Sequence, residues 1–162
     1  MTAKRHYLLS AGGTGGHMLP AYALAQELIS RGHRVALVSD DRGLKIHGAP
    51  AEMETHVLPA GRMSGGPVGW LKAANAIRKG RAQAIGLIRD LEPAAVVGFG
   101  GYPSLPTLLA ARSTGTASVI HDQNAVLGRT NRFLAKGVNA IAVAYRHIMR
   151  LPKGCEAKLH LT

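Results

Sequence analysis

Short apolar runs alternate with helix-like stretches along the whole chain, and this alternation restricts the fold more than any other feature. Tyr7-Leu8-Leu9-Ser10-Ala11 reads as a first buried strand, and the segment from about Pro20 to Arg31 as a helix ended by Gly32. Arg34 to Ser39 reads as a second strand and Thr55 to Pro59 as a weaker third. Trp70 to Leu91 is a long helical region in which Gly80 is a candidate interruption, stopped by Glu92-Pro93. Ala94 to Gly98 is a fourth strand, Pro106 to Arg112 a helix, Ser118 to His121 a fifth strand and Arg129 to Lys136 a helix. Ala140 to Ala144 is a sixth strand, and Lys158 to Thr162 is placed to begin a seventh. Strands spaced by helices imply βαβ units, so the expected class is α/β with a Rossmann-like, doubly wound parallel sheet covered on both faces.

The 162 residues suffice for one domain with a real core, and 46% hydrophobic against 18% charged residues excludes disorder. Cys155 is the only cysteine, so no intramolecular disulfide forms. Lys4 and Arg5 lead into only a short apolar run, which is no signal peptide, and no stretch approaches the roughly 18 apolar residues of a membrane-spanning helix. Membrane contact is therefore expected to be peripheral. Twenty Lys and Arg against nine Asp and Glu give a net charge of +11, which favours anionic partners without choosing among nucleic acid, phosphorylated ligands and anionic membrane.

In a parallel sheet of this kind, ligands bind beyond the carboxyl ends of the strands. Three segments fall there. The first, Gly12-Gly13-Thr14-Gly15-Gly16-His17, sits between a strand and a helix. Its glycines let backbone N–H groups turn toward a ligand, and the helix start adds partial positive charge suited to phosphate. The alternative is a tight turn without a ligand. It is not a P-loop, because Gly16 is followed by His17 rather than by Lys and a hydroxyl residue. It also fails the dinucleotide pattern, since Met18 stands where the third glycine is needed. Asp40, ending the second strand at the place of a ribose-binding acid, keeps an NAD(P)-dependent oxidoreductase open as an alternative.

The second segment, Gly98-Phe99-Gly100-Gly101-Tyr102-Pro103, repeats the design of paired glycines before a helix. Two anion-compatible helix starts facing one cleft suit a diphosphate; close strand–helix packing is the competing explanation. The third, His121-Asp122-Gln123-Asn124, presents four polar side chains after a buried strand. They suit sugar hydroxyls or the support of a base, and equally the capping of a helix. Gly61 to Gly69, with four glycines and a proline, is the candidate mobile loop. There is no Asp-x-Asp sequence and no histidine pair at i, i+4 spacing, so neither a protein-bound metal nor a cofactor is expected. A basic nucleic-acid-binding module is disfavoured by 4% aromatics and the lack of a reading motif.

The three segments together, with Pro20, Gly128 and Asn131-Arg132, resemble the MurG-type UDP-N-acetylglucosamine transferases of glycosyltransferase family 28 in order and approximate spacing, over essentially the whole chain. The resemblance implies the N-terminal, acceptor-binding half of a two-domain GT-B enzyme, with the UDP-sugar domain outside residues 1–162 and the chain inactive alone. The implied reaction is inverting transfer of N-acetylglucosamine from UDP-N-acetylglucosamine to lipid I, undecaprenyl-diphospho-N-acetylmuramoyl-pentapeptide. It would give lipid II for peptidoglycan on the cytoplasmic face of the bacterial inner membrane. By resemblance His17 is the candidate base, with binding of a ligand phosphate as its alternative. Asp122 orients it or binds a sugar hydroxyl, and stands where the family usually has a glutamate. Thr14, Gly15, Gly16 and Asn124 match the donor side. Gly12, Gly13, Gly100, Gly101 and Tyr102 match the acceptor-diphosphate side. Trp70, Leu71, Ala74 and Ile77 fall near one helical face amid Lys72, Arg78, Lys79 and Arg81. That arrangement suits an anionic membrane surface, with an ordinary core-facing helix as the alternative.

Overall fold

The computed structural model describes residues 3–59 and 66–162. Seven strands form one parallel sheet: β1 His6–Ala11, β2 Arg34–Ser39, β3 Glu54–Val57, β4 Ala95–Gly100, β5 Ser118–Asp122, β6 Ala140–Val143 and β7 Leu159–Leu161. Their order across the sheet is β3-β2-β1-β4-β5-β6-β7. The connecting helices are α1 Gly15–Ser30, α2 Gly66–Leu91, α3 Ser104–Thr114 and α4 Arg129–Leu134. Adjacent strand residues alternate between the two faces, which is why the core has two halves. Leu8, Val38, Val96 and Ile120 pack with Ala84, Ile88, Leu108 and Leu134 on the side of α2, α3 and α4. Leu9, Leu37, Val97 and Phe99 pack with Met18, Ala21, Tyr22 and Ala25 of α1 on the other. The central strands β1, β2 and β4 are buried on both faces and so carry nearly continuous apolar runs rather than alternation.

The chain leaves β1 toward β2 over one face and leaves β4 toward β5 over the other. The crevice where the winding reverses lies between the carboxyl ends of β1 and β4, where doubly wound sheets bind ligands.

Two helices differ from the sequence expectation. Helix α1 begins at Gly15, five residues before Pro20, which lies inside it. Gly15, Gly16 and His17 have modest helix propensity, so the first turn is invisible as a helical pattern. Pro20 is the sixth residue of the helix, so it forgoes one intrahelical bond, that to the Gly16 carbonyl. Helix α2 is continuous through Gly80 rather than interrupted. Its buried stripe is Ala73, Gly80, Ala84 and Ile88. A Cβ on Gly80 would collide with the Pro59 carbonyl oxygen and come within 3.3 Å of Pro106. The glycine is there for close packing of α2 onto α3. Of the candidate mobile loop, residues 61–65 lie outside the described residues, and Gly66 to Gly69 form the first turn of α2.

Gly80→Ala should therefore lose stability, because about 1–3 kcal/mol of overpacking outweighs up to about 1 kcal/mol of helix propensity. Gly86, on the same helix with open space at its Cβ position, should respond oppositely and gain up to about 1 kcal/mol as alanine. Thermal unfolding of the two variants checks the pair: Tm falls for the first and rises for the second.

Candidate functional site

At the β1/β4 crevice two side-chain-free turns are pressed together. A Cβ on Gly101 would lie 2.5 Å from the Gly12 carbonyl oxygen, and one on Gly12 would lie 2.6 Å from Pro103 Cγ. Gly13, Gly100 and Gly101 have φ of 84°, 100° and 80°, conformations that favour glycine. Buried Ser104 joins the two strands beneath. Its hydroxyl accepts from Gly100 N–H at 3.2 Å and lies 2.9 and 2.8 Å from the Ser10 and Gly100 carbonyl oxygens. Ser10 and Thr107 hydroxyls meet at 3.2 Å in the same layer.

Asp40 holds the first turn from the β2 side. One carboxylate oxygen accepts Gly13 N–H at 3.1 Å and Gly43 N–H at 2.9 Å; the other pairs with Arg42 at 3.0 Å. Burial works to raise its pKa, but the bonds from Gly43, Arg42 and Gly13 outweigh it and the net shift is downward. Asp40 is thus committed to the loop, which removes the observation that kept a nicotinamide enzyme open. The same contacts show how Gly12 and Gly13, expected on the acceptor-diphosphate side, are held in the turn. Gly12 is buried under Pro103 and Gly13 spends its N–H on Asp40, so both support the turn.

Beyond them the loop opens. Thr14 is the N-cap of α1 and makes no side-chain capping bond; Thr14 and Gly16 are exposed and Gly15 is half-buried. His17 and Met18 N–H both bond the Thr14 carbonyl at 3.1 Å, whereas Gly15 and Gly16 N–H have no backbone partner among the described residues and stand at the positive end of the helix dipole. His17, in the first turn, lies over Gly100, where a Cβ would sit 2.9 Å from the ring Cε1. The glycine is what lets the imidazole settle there. Its Nδ1 is 3.1 Å from the side-chain amide of Gln123.

Asp122, 2% exposed, does not contact His17. Its Oδ1 accepts from Asn124 N–H and Nδ2 at 3.1 and 3.3 Å, and its Oδ2 accepts from Gly128 N–H at 2.8 Å and Asn131 Nδ2 at 3.0 Å. Four bonds commit both oxygens to shaping the 122–131 loop. The hydrogen bond to His17 is made by the neighbouring Gln123, while Asp122 stays in the cavity lining, where the expected alternative of a sugar hydroxyl contact would apply. The shorter aspartate side chain suits local bonds, being 2 and 6 residues from its backbone partners. His121, alongside, has its pKa lowered by burial, partly offset by the Asp122 charge, which favours neutral imidazole.

His17, Gly100, Gly101, Tyr102, Asp122 and Asn124 are among the residues that line a cavity of about 690 Å³. The lining also includes Ala74 and Ile77 of α2, Leu105 and Leu109 of α3, and Arg129, Thr130 and Phe133 of α4. The sequence reading missed Gln123 as a partner of His17 and the apolar wall from α3 and α4. Leucines at helical spacing look like core, and nothing in one sequence marks Phe133 as exposed. On α2, Trp70 and Leu71 are 62% and 72% exposed, and Lys72, Arg78 and Lys79 are exposed around them, while Ile77 turns inward to the cavity. The buried stripe of the helix lies elsewhere, so Trp70 and Leu71 are not core residues. Among the described residues, no group of three or more His, Cys, Asp or Glu side chains is arranged to hold a metal ion, and no helix is long and apolar enough to cross a membrane.

Comparison with known proteins agrees with this arrangement. The family model described as the glycosyltransferase family 28 N-terminal domain matches residues 7–143. The UDP-N-acetylglucosamine–N-acetylmuramyl-(pentapeptide) pyrophosphoryl-undecaprenol N-acetylglucosamine transferase of Sphingopyxis alaskensis is 75% identical over 100% of this chain and 41% of its own length. The transferase of the same name from Zymomonas mobilis is 54% identical over 100% of this chain and 42% of its own. The chain thus spans about two-fifths of the curated relatives it matches. The crystal structure of Acinetobacter baumannii MurG superimposes with a TM-score of 0.75 at 31% identity, over 98% of this chain and 45% of that one. The Streptomyces glycosyltransferase SsfS6, at 15% identity and a TM-score of 0.64 over 98% of this chain and 53% of its own, shares the fold. The doubly wound sheet, the paired glycine turns at its switch point and the match over residues 7–143 place this chain in glycosyltransferase family 28, as its N-terminal domain.

Proposed function

We propose that this domain is the acceptor-binding half of a GT-B transferase that moves N-acetylglucosamine from UDP-N-acetylglucosamine to undecaprenyl-diphospho-N-acetylmuramoyl-pentapeptide, working at the cytoplasmic face of the inner membrane. The observation that carries the reading is the joining of polar groups and apolar side chains in one cavity. His17, Gly100, Gly101 and Tyr102 line it together with Leu105, Leu109, Ile77 and Phe133. A diphosphate carrying a sugar on one side and a prenyl chain on the other has the same two characters. The relatives' name, which includes a pyrophosphoryl-undecaprenol acceptor, supports it.

The chemistry follows from the placement of the groups. The donor sugar is joined to UDP through an α bond and the product link is β, so one in-line displacement inverts the anomeric carbon. The acceptor hydroxyl oxygen forms the new C–O bond, the bond to UDP breaks, and UDP leaves with the electron pair. His17 takes the hydroxyl proton, work suited to a neutral imidazole with a free ring nitrogen. Thr14, Gly15 and Gly16, at the outward-facing start of α1, serve the donor side with Asn124; backbone N–H groups and the helix dipole there favour the charge that develops on the leaving diphosphate. Gly100, Gly101 and Tyr102 serve the acceptor diphosphate. Asp122 acts by holding the loop that carries Gln123 and Asn124.

Trp70 and Leu71 stand one helical turn before Ala74, where the cavity wall begins, so membrane contact at α2 would set the cavity mouth against the lipid that delivers the acceptor. The surrounding Lys72, Arg78 and Lys79 favour an anionic surface.

In a chain that also carries the donor-binding half, His17→Ala should lower turnover by about 10² or more; a near-normal rate would remove His17 as the base. Replacing Trp70 and Leu71 together by alanine should weaken co-sedimentation with vesicles containing anionic phospholipid by about tenfold or more, given about 1.5–3 kcal/mol for each large apolar side chain buried. Equal binding by both proteins would place the membrane contact elsewhere.

A further inference from the structure

A neutral imidazole has one protonated nitrogen and one with a lone pair, and only the second can take a proton. Nδ1 of His17 is occupied by Gln123 at 3.1 Å, whereas the ring lines the cavity and Nε2 has no hydrogen-bond partner among the described residues. Nε2 is therefore the nitrogen that can serve an acceptor hydroxyl, provided Nδ1 carries the ring hydrogen. That hydrogen needs an acceptor beside it.

We propose that Gln123 is a positioning residue whose amide oxygen accepts the Nδ1–H of His17, fixing the tautomer that leaves Nε2 free as the base. The inference rests on the reading of His17 as the base. A side-chain amide can present either end to Nδ1, since a half-turn about its last bond exchanges oxygen and nitrogen without moving other atoms. With the nitrogen toward His17, Gln123 donates to Nδ1 and drives the ring hydrogen onto Nε2, the unproductive tautomer. It also leaves its own Oε1 buried without a partner. With the oxygen toward His17, Nδ1–H is satisfied and the Nε2 lone pair faces the cavity.

The rest of the site leaves this work to Gln123. Asp122 has both oxygens engaged within its own loop. Gly100 meets the flat side of the ring and offers no side chain. Gly16 has no Cβ, and one placed there would lie 3.7 Å from the Gln123 amide, so the side chain passes this turn in van der Waals contact. When Nε2 accepts the hydroxyl proton, the ring becomes an imidazolium and Nδ1–H remains bonded to the amide oxygen. The proton stays on Nε2, and no further transfer is needed during the displacement.

Nitrogen-15 NMR of the histidine-labelled chain, with His17 assigned through His17→Gln, reads the tautomer directly above the titration of the ring. The unmodified chain should show His17 with protonated Nδ1 and unprotonated Nε2. Gln123→Met, similar in length but unable to accept, should shift the majority to protonated Nε2. Gln123→Glu, an acceptor that cannot turn round, should keep protonated Nδ1 and raise the titration midpoint of His17, because a carboxylate favours the charged ring. Protonated Nε2 in the unmodified chain, or protonated Nδ1 persisting in Gln123→Met, would overturn the proposal. If the methionine variant does not fold, an unmoved midpoint in Gln123→Glu overturns it. These readouts need no substrate, so they can fail while His17 remains the base, and the loss of the base role in turnover leaves them unchanged.

Discussion

The contact of Gly12 with Gly101 is the constraint on which the rest of the site depends. It occurs where the winding of the sheet reverses, between β1 and β4, and it exists because neither turn carries a side chain at the point of touch. Close approach of the turns brings the start of α1 over the end of β4. That sets His17 above Gly100, and the imidazole then faces Gln123, the residue just after β5. Alanine at Gly12 or Gly101 would push these elements apart by the width of a methyl group, and His17 would lose both of its contacts. Ser104 below and Asp40 beside the turns hold the approach with hydrogen bonds to backbone groups that would otherwise be buried and unpaired.

One helix layer does two jobs. Helices α2, α3 and α4 cover one face of the sheet with Ala84, Ile88, Leu108 and Leu134, and turn Ile77, Leu105, Leu109 and Phe133 toward the cavity. The small stripe of Ala73 and Gly80 keeps α2 close to α3, so its large residues are not needed for core packing. Trp70 and Leu71 are free to stay outside, one helical turn before the cavity-lining Ala74 and on a helix that also exposes Lys72, Arg78 and Lys79. A prenyl-linked substrate and an anionic membrane would be met by adjoining parts of one helix.

Much of this was legible in the sequence. The strand runs gave all seven strands to within one or two residues; β1, β2 and β4 stood out because strands buried on both faces are short, apolar and bounded by turn residues. The three loops at the carboxyl ends of β1, β4 and β5 were likewise visible as glycine and polar clusters. Roles within the loops were not. Gly12 and Gly15 look alike in sequence, yet one is packed under Pro103 and the other starts a helix. Asp40 resembled a ribose ligand because it ends the second strand, but its partners Gly13 and Gly43 are fixed only by tertiary structure. Asp122 and Gln123 are neighbours in the chain and point to different tasks, since successive residues at a strand end face opposite sides. Gly80 read as a break because propensity alone counts against glycine in a helix, whereas packing against Pro59 and Pro106 decides the position.

The central claim is that the β1/β4 crevice, with the apolar wall beside it, receives a prenyl diphosphate. Titrating the nitrogen-15-labelled chain with geranyl diphosphate, a soluble short-chain probe, and following backbone amide shifts tests it most directly. The account predicts saturable shifts at His17, Gly100, Gly101 and Tyr102, continuing to Leu105 and Leu109. Shifts confined to the basic and acidic depression at the opposite sheet edge, around Lys4, His33, Arg34 and Glu52, would contradict it.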